Sequence, residues 1–418
     1  MMNSAIANIS LFDSLRARFA EISDSNPVLK PYIEKNFQNF LAKGFPTIKN
    51  EEWKYTDLQK ILNRNYSLRS SSPTQSISPK AFLQNALHIS FVNSAFNTDN
   101  LALSKNISIQ PLSQTTQERL DKYFSIHQNA LAQLNSAMAE NALLITIKKN
   151  THLQEPIIVT YTISPDSPCM VFPRLLVVME ENTSASFIES FSADGLHASL
   201  IVSSTEFYLQ QNANLIHYLL QLDLQQSSHI SHTAIFHEQK SNSSTTVFTG
   251  SGELVRNNLL IDLLSQYSET TLYGLYFGNK TSHIDNHTTV RHAVSNSLSN
   301  ELYKGIINDE ASAVFNGKII VQPDAQKTNA FQSNKNILLS PNATVNAKPQ
   351  LEIFANDVKC SHGATTGRLD EEALFYLRSR GIDKIQAQAI LVKAFAHEII
   401  ENVHLPELQT YLAEHFQN

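Results

Sequence analysis

Short apolar runs alternate with polar residues from about residue 142 to 358. Runs rich in β-branched and apolar side chains, separated by Ser, Thr, Asn and Gln, lie at 157–163, 175–179, 186–191, 215–222, 272–277 and 313–321. Helix signals are nearly absent from this stretch. The pattern therefore predicts about two hundred residues of continuous β-structure.

A loose motif recurs at several strand entries within this stretch. Each copy is a polar turn, then a small residue, then an apolar strand. The copies are Glu181-Asn-Thr-Ser-Ala, Gln211-Asn-Ala-Asn-Leu, Ser268-Glu-Thr-Thr-Leu, Asp309-Glu-Ala-Ser-Ala and Pro341-Asn-Ala-Thr-Val. Repeated units with irregular spacing favour a β-solenoid, in which each coil buries its apolar face against its neighbours. A sandwich or a propeller is the alternative architecture.

The N-terminal part of the chain reads as a mixed, largely helical unit. Apolar residues at helical spacing predict two helices between about 10 and 44, and a further helix over 114–141. Short β-like pieces lie near 87–92 and 107–112, whereas the Ser/Pro-rich residues 66–80 predict a loop. The segment Asn50-Glu-Glu-Trp-Lys-Tyr-Thr-Asp carries the only tryptophan, for which we expect a packing role as an anchor.

From Leu369 the pattern is helical to the end of the chain. We therefore expect three units: 1–141 at the N-terminus, a β-core over 142–360, and a helical region over 361–418. The apolar residues of the terminal helices either cap the β-core or present a docking face for a partner, and the residues alone leave both open. The docking candidates are Tyr376, Arg378, Arg380, Ile385, Leu391 and Phe395.

Charge and cysteine content narrow the classes of protein. The 418 residues carry a formal net charge of -6, which argues against a general nucleic-acid binder. No apolar run is long enough for a membrane span, and the first residues lack the pattern of a secretory signal. Two cysteines far apart suit a reducing compartment, so we expect a cytoplasmic protein.

The best chemical clue is the pair Cys360 and His362, at the junction between the β-pattern and the helical pattern. In an extended segment, side chains two residues apart point to the same face. A lone cysteine is most often a small buried hydrophobe. A neighbouring histidine can instead favour the thiolate and make the pair a soft site for iron or sulfide, so both interpretations stay open.

A second group of candidates is His283, Asp285 and His287, which share one face if the segment is extended. Two imidazoles and a carboxylate can form part of a metal site. They can equally form a hydrogen-bonded ladder, because solenoids stack polar side chains along their faces.

Catalytic motifs are mostly missing from the sequence. There is no GxxxxGK[ST] loop, no GxSxG elbow and no HExxH helix. A stand-alone β-solenoid enzyme acting on carbohydrate is the alternative function, but no carboxylate pair at catalytic spacing is visible. We therefore do not expect an enzyme.

A series of ordered motifs resembles the SufD branch of the SufB/SufD family. The motifs are Glu52-Trp-Lys-Tyr-Thr-Asp, Asp285-Asn-His-Thr, Tyr303-Lys-Gly-Ile, Val314-Phe-Asn-Gly-Lys, Asp324-Ala-Gln-Lys-Thr, Lys348-Pro-Gln-Leu-Glu-Ile, Asp357-Val-Lys-Cys-Ser-His-Gly-Ala-Thr and Tyr376-Leu-Arg-Ser-Arg-Gly-Ile. SufB-type chains carry additional cysteines, and between Cys169 and Cys360 this chain has none. The SufD branch is therefore favoured over SufB.

The resemblance implies a scaffold subunit of the Suf machinery, which assembles iron–sulfur clusters. It implies a mainly β fold, with a right-handed parallel β-helix core between helical N-terminal and C-terminal regions. Pairing with SufB is expected, or a homodimer when SufB is absent, together with binding of the ATPase SufC by the C-terminal helices. ATP hydrolysis is then expected in SufC. No membrane or nucleic-acid partner is expected.

The resemblance also implies where iron–sulfur chemistry takes place. A transient iron–sulfur cluster or iron is expected at the interface with SufB, and no tightly bound cofactor is expected. The functional histidine of the SufD branch falls in the Cys-Ser-His-Gly motif, which maps onto His362, with Cys360 as its neighbour.

Overall fold

The computed structural model describes residues 2–68, 83, 85–97, 105–124 and 129–416. Within these residues the helices cluster towards the two ends of the chain. They are α1 (Met2–Ser25), α2 (Lys30–Lys43), α3 (Gln59–Leu62), α4 (Gln117–Tyr123), α5 (Ala130–Met138), α6 (Glu371–Ser379), α7 (Lys384–Ile400) and α8 (Pro406–His415), with short 3₁₀ turns at Glu51–Trp53 and Leu112–Gln114.

Between the helical groups the chain is almost entirely strand. The strands are β1 (Leu87–Val92), β2 (Ala95–Asn97), β3 (Ile107–Pro111), β4 (Leu143–Ile147), β5 (Ile157–Ile163), β6 (Met170–Val171), β7 (Arg174–Met179), β8 (Ser184–Ala193), β9 (Leu200–Leu209), β10 (Asn214–Asp223), β11 (Ser228–His237), β12 (Asn242–Thr249), β13 (Leu254–Leu263), β14 (Glu269–Gly278), β15 (His283–His292), β16 (Leu298–Ile307), β17 (Ser312–Val321), β18 (Asn329–Leu338), β19 (Thr344–Ala347), β20 (Gln350–Ile353) and β21 (Lys359–Gly367).

The strands wind into a parallel β-helix of about eight turns. One sheet has the order β2-β1-β5-β8-β10-β12-β14-β16-β18-β21 and the other has β19-β17-β15-β13-β11-β9-β7-β4-β3. From β8 to β18, successive strands of the chain alternate between the two sheets, and the pairs within each sheet are parallel. The predicted solenoid is confirmed, because a sandwich or a propeller would be built mainly from antiparallel strands.

The recurrent sequence motif marks the turns of the solenoid. Asn182, Asn212 and Asp309 stand in three copies of the motif, with φ angles of 56°, 57° and 50°. Asn and Asp tolerate this left-handed region better than other residues with a side chain. Each such turn reverses the chain and lets the next strand enter the opposite sheet, which explains why a polar turn precedes each apolar run.

Alternate residues of each strand face the solenoid interior. On β15, Ile284 and Val290 lie in the main apolar core, whereas Asp285, between them in sequence, lies on the outer face. Facing residues stack in register from coil to coil, so the interior forms continuous columns of side chains. Apolar columns fill most of it.

The N-terminal unit packs its own apolar core against the outer face of the solenoid. The two helices predicted between 10 and 44 are confirmed by α1 and α2. The single helix predicted over 114–141 is wrong: α4 ends at Tyr123, and α5 begins only after Asn129, whose side chain accepts hydrogen bonds from two backbone N–H groups. Such a cap starts a new helix. The loop predicted over 66–80 lies mostly outside the described residues.

The β-structure extends beyond the predicted boundary at residue 360, because β21 continues to Gly367. The end of α7 and all of α8 then fold back onto the solenoid, where Ile399, Leu408 and Leu412 are buried with Tyr218. No helix among the described residues combines the length and the apolar character needed to cross a membrane.

Candidate functional site

Cys360 and His362 lie on β21, the terminal strand of the ten-stranded sheet. β21 pairs with β18, and within the described chain no strand pairs with its other edge. Cys360 stands in register with Ala330, and His362 with Gln332. Ala330 and Gln332 are buried while Phe331 between them is exposed, so the register partners face the solenoid interior. The structure therefore places Cys360 and His362 side by side on the inner face of the open end.

The two side chains have different surroundings. Cys360 is half-buried against a small apolar cluster that includes Ile319 and Ala355, whereas His362 is exposed. Burial raises the pKa of the Cys360 thiol, and a backbone hydrogen bond at Ala330 offsets only part of this effect. The chain by itself therefore favours the thiol form of Cys360.

A buried polar group lies directly behind His362. Glu301, Gln332 and His362 occupy consecutive strands of one sheet in register. The Nε2 of Gln332 donates to the Oε2 of Glu301 over 2.8 Å, and the hydroxyl of Thr288 donates to its Oε1 over 2.6 Å. Burial raises the pKa of Glu301 to about 7, although both hydrogen bonds act in the opposite direction.

The candidate ligands His283 and Asp285 are engaged in hydrogen bonds on the outer face of β15. The hydroxyl of Thr56 donates to Asp285, so the Nε2–H of His283 donates to Thr56 over 2.8 Å. The Nδ1 of His283 then accepts from the hydroxyl of Ser312 over 2.7 Å. Asp285 also forms a buried ion pair with Arg256.

His287 completes this network. Its Nε2 lies 2.9 Å from Asp285 and its Nδ1 lies 3.2 Å from Glu52, so both ring nitrogens face carboxylate oxygens. Burial raises the pKa of Asp285, but Arg256 and His287 outweigh it and hold that pKa well below its usual range. These contacts form the hydrogen-bonded ladder, the second of the two interpretations of this segment.

Neither candidate group forms a complete metal site within one chain. Among the described residues there is no group of three or more His, Cys, Asp or Glu side chains placed to hold a metal ion. At the open end of the solenoid, Cys360 and His362 supply two donors at most. The outer-face residues of β15 instead hold the N-terminal segment against the solenoid.

The docking candidates divide into exposed and packed residues. Ile385 and Tyr376 are 80% and 57% exposed, and Phe375 beside them is 73% exposed. Arg378 and Arg380 are also exposed, and the Arg380 guanidinium lies 5.3 Å from the centre of the Tyr376 ring. α6 has no buried residue.

Leu391 and Phe395 are half-buried on α7. Phe395 packs towards the solenoid, where the Nζ of Lys304 lies 4.2 Å from the centre of its ring and donates to its carbonyl oxygen. Phe395 is therefore part of the packing that holds α7, and the exposed apolar residues lie on α6 and at the start of α7.

Sequence reasoning missed Glu301, Gln332 and Thr288. Thr288 ends the Asp285-Asn-His-Thr motif, but that motif pointed to Asp285 and not to the threonine. Glu301 and Gln332 lie in no motif, and Gln332 is 31 residues from Glu301 along the chain. Only the register between coils brings them together. A glycine at 317 was a possible signal, because a Cβ there would lie 2.3 Å from the Nε2 of Gln332.

The chain is similar to known proteins over nearly its whole length. A family model described as the SUF system FeS cluster assembly SufBD core domain matches residues 161–395, and one described as the SufBD protein N-terminal region matches residues 2–159. An iron–sulfur cluster assembly SufBD family protein of Synechocystis sp. is 33% identical over 88% of this chain and 86% of its own length. The iron–sulfur cluster assembly protein SufD of Escherichia coli is 29% identical over 89% of this chain and 88% of its own length.

A chloroplastic protein, ABCI7 of Arabidopsis thaliana, is 27% identical over 97% of this chain and 89% of its own length. Relatives of this chain are thus named in a plastid as well as in bacteria. Together, the two family models cover nearly the whole chain, including the solenoid and the strand that carries the Cys-Ser-His sequence. The chain therefore belongs to the SufBD family of iron–sulfur cluster assembly proteins, and to its SufD-like members.

Proposed function

We propose that this chain is a non-catalytic scaffold subunit that pairs with SufB, binds SufC and contributes His362 to a site where iron enters and a nascent cluster forms. The observation that carries the proposal is the placement of Cys360 and His362 on one face of a terminal strand, one edge of which has no partner among the described residues. Two donors make an incomplete site, and a partner that pairs with β21 would bring the remaining ligands to the same place.

The open end of the solenoid also has the surface of an interface. Phe354 is 60% exposed, Phe331 is 42% exposed and Ile353 is 39% exposed, all near the terminal strands. A strand with one free edge and adjacent apolar side chains is suited to pairing with another chain. SufB is the proposed partner, and a second copy of this chain takes its place when SufB is absent.

The region 361–418 is proposed as the SufC-docking unit, beside the core over 142–360 and the N-terminal unit over 1–141. The exposed apolar residues Phe375, Tyr376 and Ile385 support a docking face on α6 and the first turn of α7.

ATP hydrolysis is assigned to SufC, because this sequence has no phosphate-binding loop. The reducing environment of the cytoplasm suits the free thiols of Cys169 and Cys360.

The test is the substitution His362→Ala in a reconstituted complex with SufB and SufC. Because His362 is exposed and lies at the end of the solenoid, the variant should fold and assemble normally. Cluster assembly, followed by the visible absorbance of the cluster, should fall at least tenfold. An unchanged yield would exclude the role of His362. The carbohydrate-active enzyme is not favoured, and a chain that stays alone beside SufB and SufC would reopen it.

A further inference from the structure

The solenoid holds a buried carboxyl and amide behind His362 that the proposed site does not yet use. Glu301 is 2% exposed and Gln332 is 4% exposed. Gln332 stands one strand behind His362 in the same column and Glu301 stands two strands behind it, about 5 Å and about 10 Å away along the sheet. A buried polar pair costs stability unless its hydrogen bonds are satisfied, so its partners are informative.

The orientation of the Gln332 amide is fixed from one side. Thr288 donates to one oxygen of Glu301, and the other oxygen accepts from the Nε2 of Gln332. Gly317 leaves the room for this arrangement, since a Cβ at that position would lie 2.3 Å from the Nε2 and 2.7 Å from the Cδ of Gln332. The amide NH₂ therefore faces Glu301, and the carbonyl oxygen is left as an acceptor.

That acceptor has no donor within the described part of the chain. The Oε1 of Gln332 is buried and makes no hydrogen bond with the described residues. Leaving such an atom unsatisfied costs about 1–3 kcal/mol. The next side chain in the column is His362, which is exposed and carries a ring N–H that can reach a neighbour one strand away. The unsatisfied oxygen and the free imidazole are thus adjacent in the column.

We propose that Gln332 is a positioning residue for His362: its Oε1 accepts the imidazole N–H and so directs the unprotonated ring nitrogen towards an iron(II) ion at the open end of the solenoid. Histidine ligands of metals usually donate their second ring N–H to an oxygen acceptor, which fixes the tautomer and the plane of the ring. Glu301 holds the NH₂ group of the Gln332 amide on its own side, so that the Oε1 of Gln332 is left for His362. The inference rests on the proposed iron-binding role of His362 and names the group that orients it.

The experiment measures binding of ferrous iron alone, under anaerobic conditions, to the full chain in complex with SufB. Gln332→Met keeps the length of the side chain but removes the acceptor, and it should weaken iron binding about 10- to 100-fold. The matched control is Asn334→Leu, on the same strand and face. The hydrogen-bond partners of Asn334 are Tyr276, Tyr303 and Asn336. This substitution removes a buried polar group of similar size but should change iron affinity less than threefold.

A second pair of variants separates orientation from packing. Glu301→Leu removes the group that holds the Gln332 amide and should weaken iron binding about tenfold. Glu301→Gln restores a carbonyl acceptor for the Gln332 NH₂, and the Thr288 hydroxyl can turn to accept from the new amide. It should therefore recover most of the affinity that Glu301→Leu loses. The ring-nitrogen ¹⁵N chemical shifts of His362 can be measured in protein labelled with ¹⁵N at histidine. They should show one tautomer in the wild type and a mixture of two tautomers in Gln332→Met.

The outcomes distinguish the two proposals. If His362→Ala binds iron as the wild type does, the proposed function fails and the positioning role fails with it. If His362→Ala loses binding while Gln332→Met keeps both the affinity and the single tautomer, only the positioning role is overturned. Should Gln332→Met not fold, equal affinities of Glu301→Leu and Glu301→Gln would overturn the positioning role.

Discussion

The guanidinium of Arg256 stacks on the indole of Trp53, with 3.8 Å between its Cζ and the centre of the ring. Trp53 belongs to the N-terminal unit and Arg256 to the outer face of β13. Arg256 is 1% exposed and paired with Asp285, so Trp53 covers an ion pair that water would otherwise reach. The tryptophan segment is therefore the anchor that the sequence predicted, and it fastens the N-terminal unit to the solenoid.

Trp53→Ala should loosen this attachment. Removing a buried tryptophan costs roughly 3–5 kcal/mol, and here it also exposes one face of a buried guanidinium. Amide hydrogen exchange over residues 50–62 should become at least a hundredfold faster, while exchange in β15 to β18 changes little. The control is Ile48→Ala, two residues before this segment, where the side chain is 55% exposed. Equal exchange in the two variants would show that Trp53 is not an anchor.

Stability should depend on pH through Glu301. Its pKa is raised by burial from 4.5 to about 7, so the folded chain binds this proton more tightly than the unfolded chain. The stability it contributes is complete below about pH 4.5 and is lost as the pH rises through 7. Glu301→Gln cannot ionise. The unfolding free energy of the wild type minus that of Glu301→Gln should therefore fall by about 3 kcal/mol between pH 4.5 and 8.

Paired urea titrations at several pH values measure this difference, and contributions from all other groups cancel in it. Glu301→Leu also cannot ionise, so it is the control, and its difference from the wild type should fall by the same amount over this pH range. A difference that does not vary with pH in either variant would mean that the buried carboxyl titrates normally.

Much of the architecture could be predicted because its signals are local. The backbone is left-handed at the turns that precede apolar runs, as at Asn182 and Asn212, and polar residues such as Asn suit this conformation. Such turns recur where the chain passes from one sheet to the other. The helices α1 and α2 follow from apolar spacing. The break between α4 and α5 was missed because an Asn129 cap stands inside a run that otherwise keeps helical spacing.

The candidate site could be predicted only in part, for a reason of geometry. Cys360 and His362 are two residues apart, so one strand suffices to bring them together. Gln332 and Glu301 join them through register between coils, which depends on the length of every turn between β16 and β21. In the same way, the carboxylate partners of His287 come from the N-terminal segment as well as from its own strand.

The docking face should be sensitive to charge. Ile385→Asp places a carboxylate in the centre of the exposed apolar residues of α6 and α7, where a partner would have to bury it. Affinity for SufC should fall at least a hundredfold in a calorimetric titration. Thr410→Asp adds the same charge at an exposed position of α8 and should bind SufC normally. Loss of binding in both variants would point to a general charge effect.

The free edge of β21 should be required for pairing with SufB. The backbone N–H of Lys359 donates to the carbonyl oxygen of Thr328 in the preceding coil. Successive N–H groups of a strand point to opposite edges, so the N–H of Thr365 faces the preceding coil, whereas the N–H of Ala364 faces the free edge. Proline removes a backbone donor. Ala364→Pro should therefore leave the solenoid paired but abolish co-purification with SufB, whereas Thr365→Pro should instead break the bond to β18 and lower the thermal midpoint. Normal pairing of Ala364→Pro with SufB would place the interface elsewhere, because a strand cannot be extended through an edge that lacks this donor.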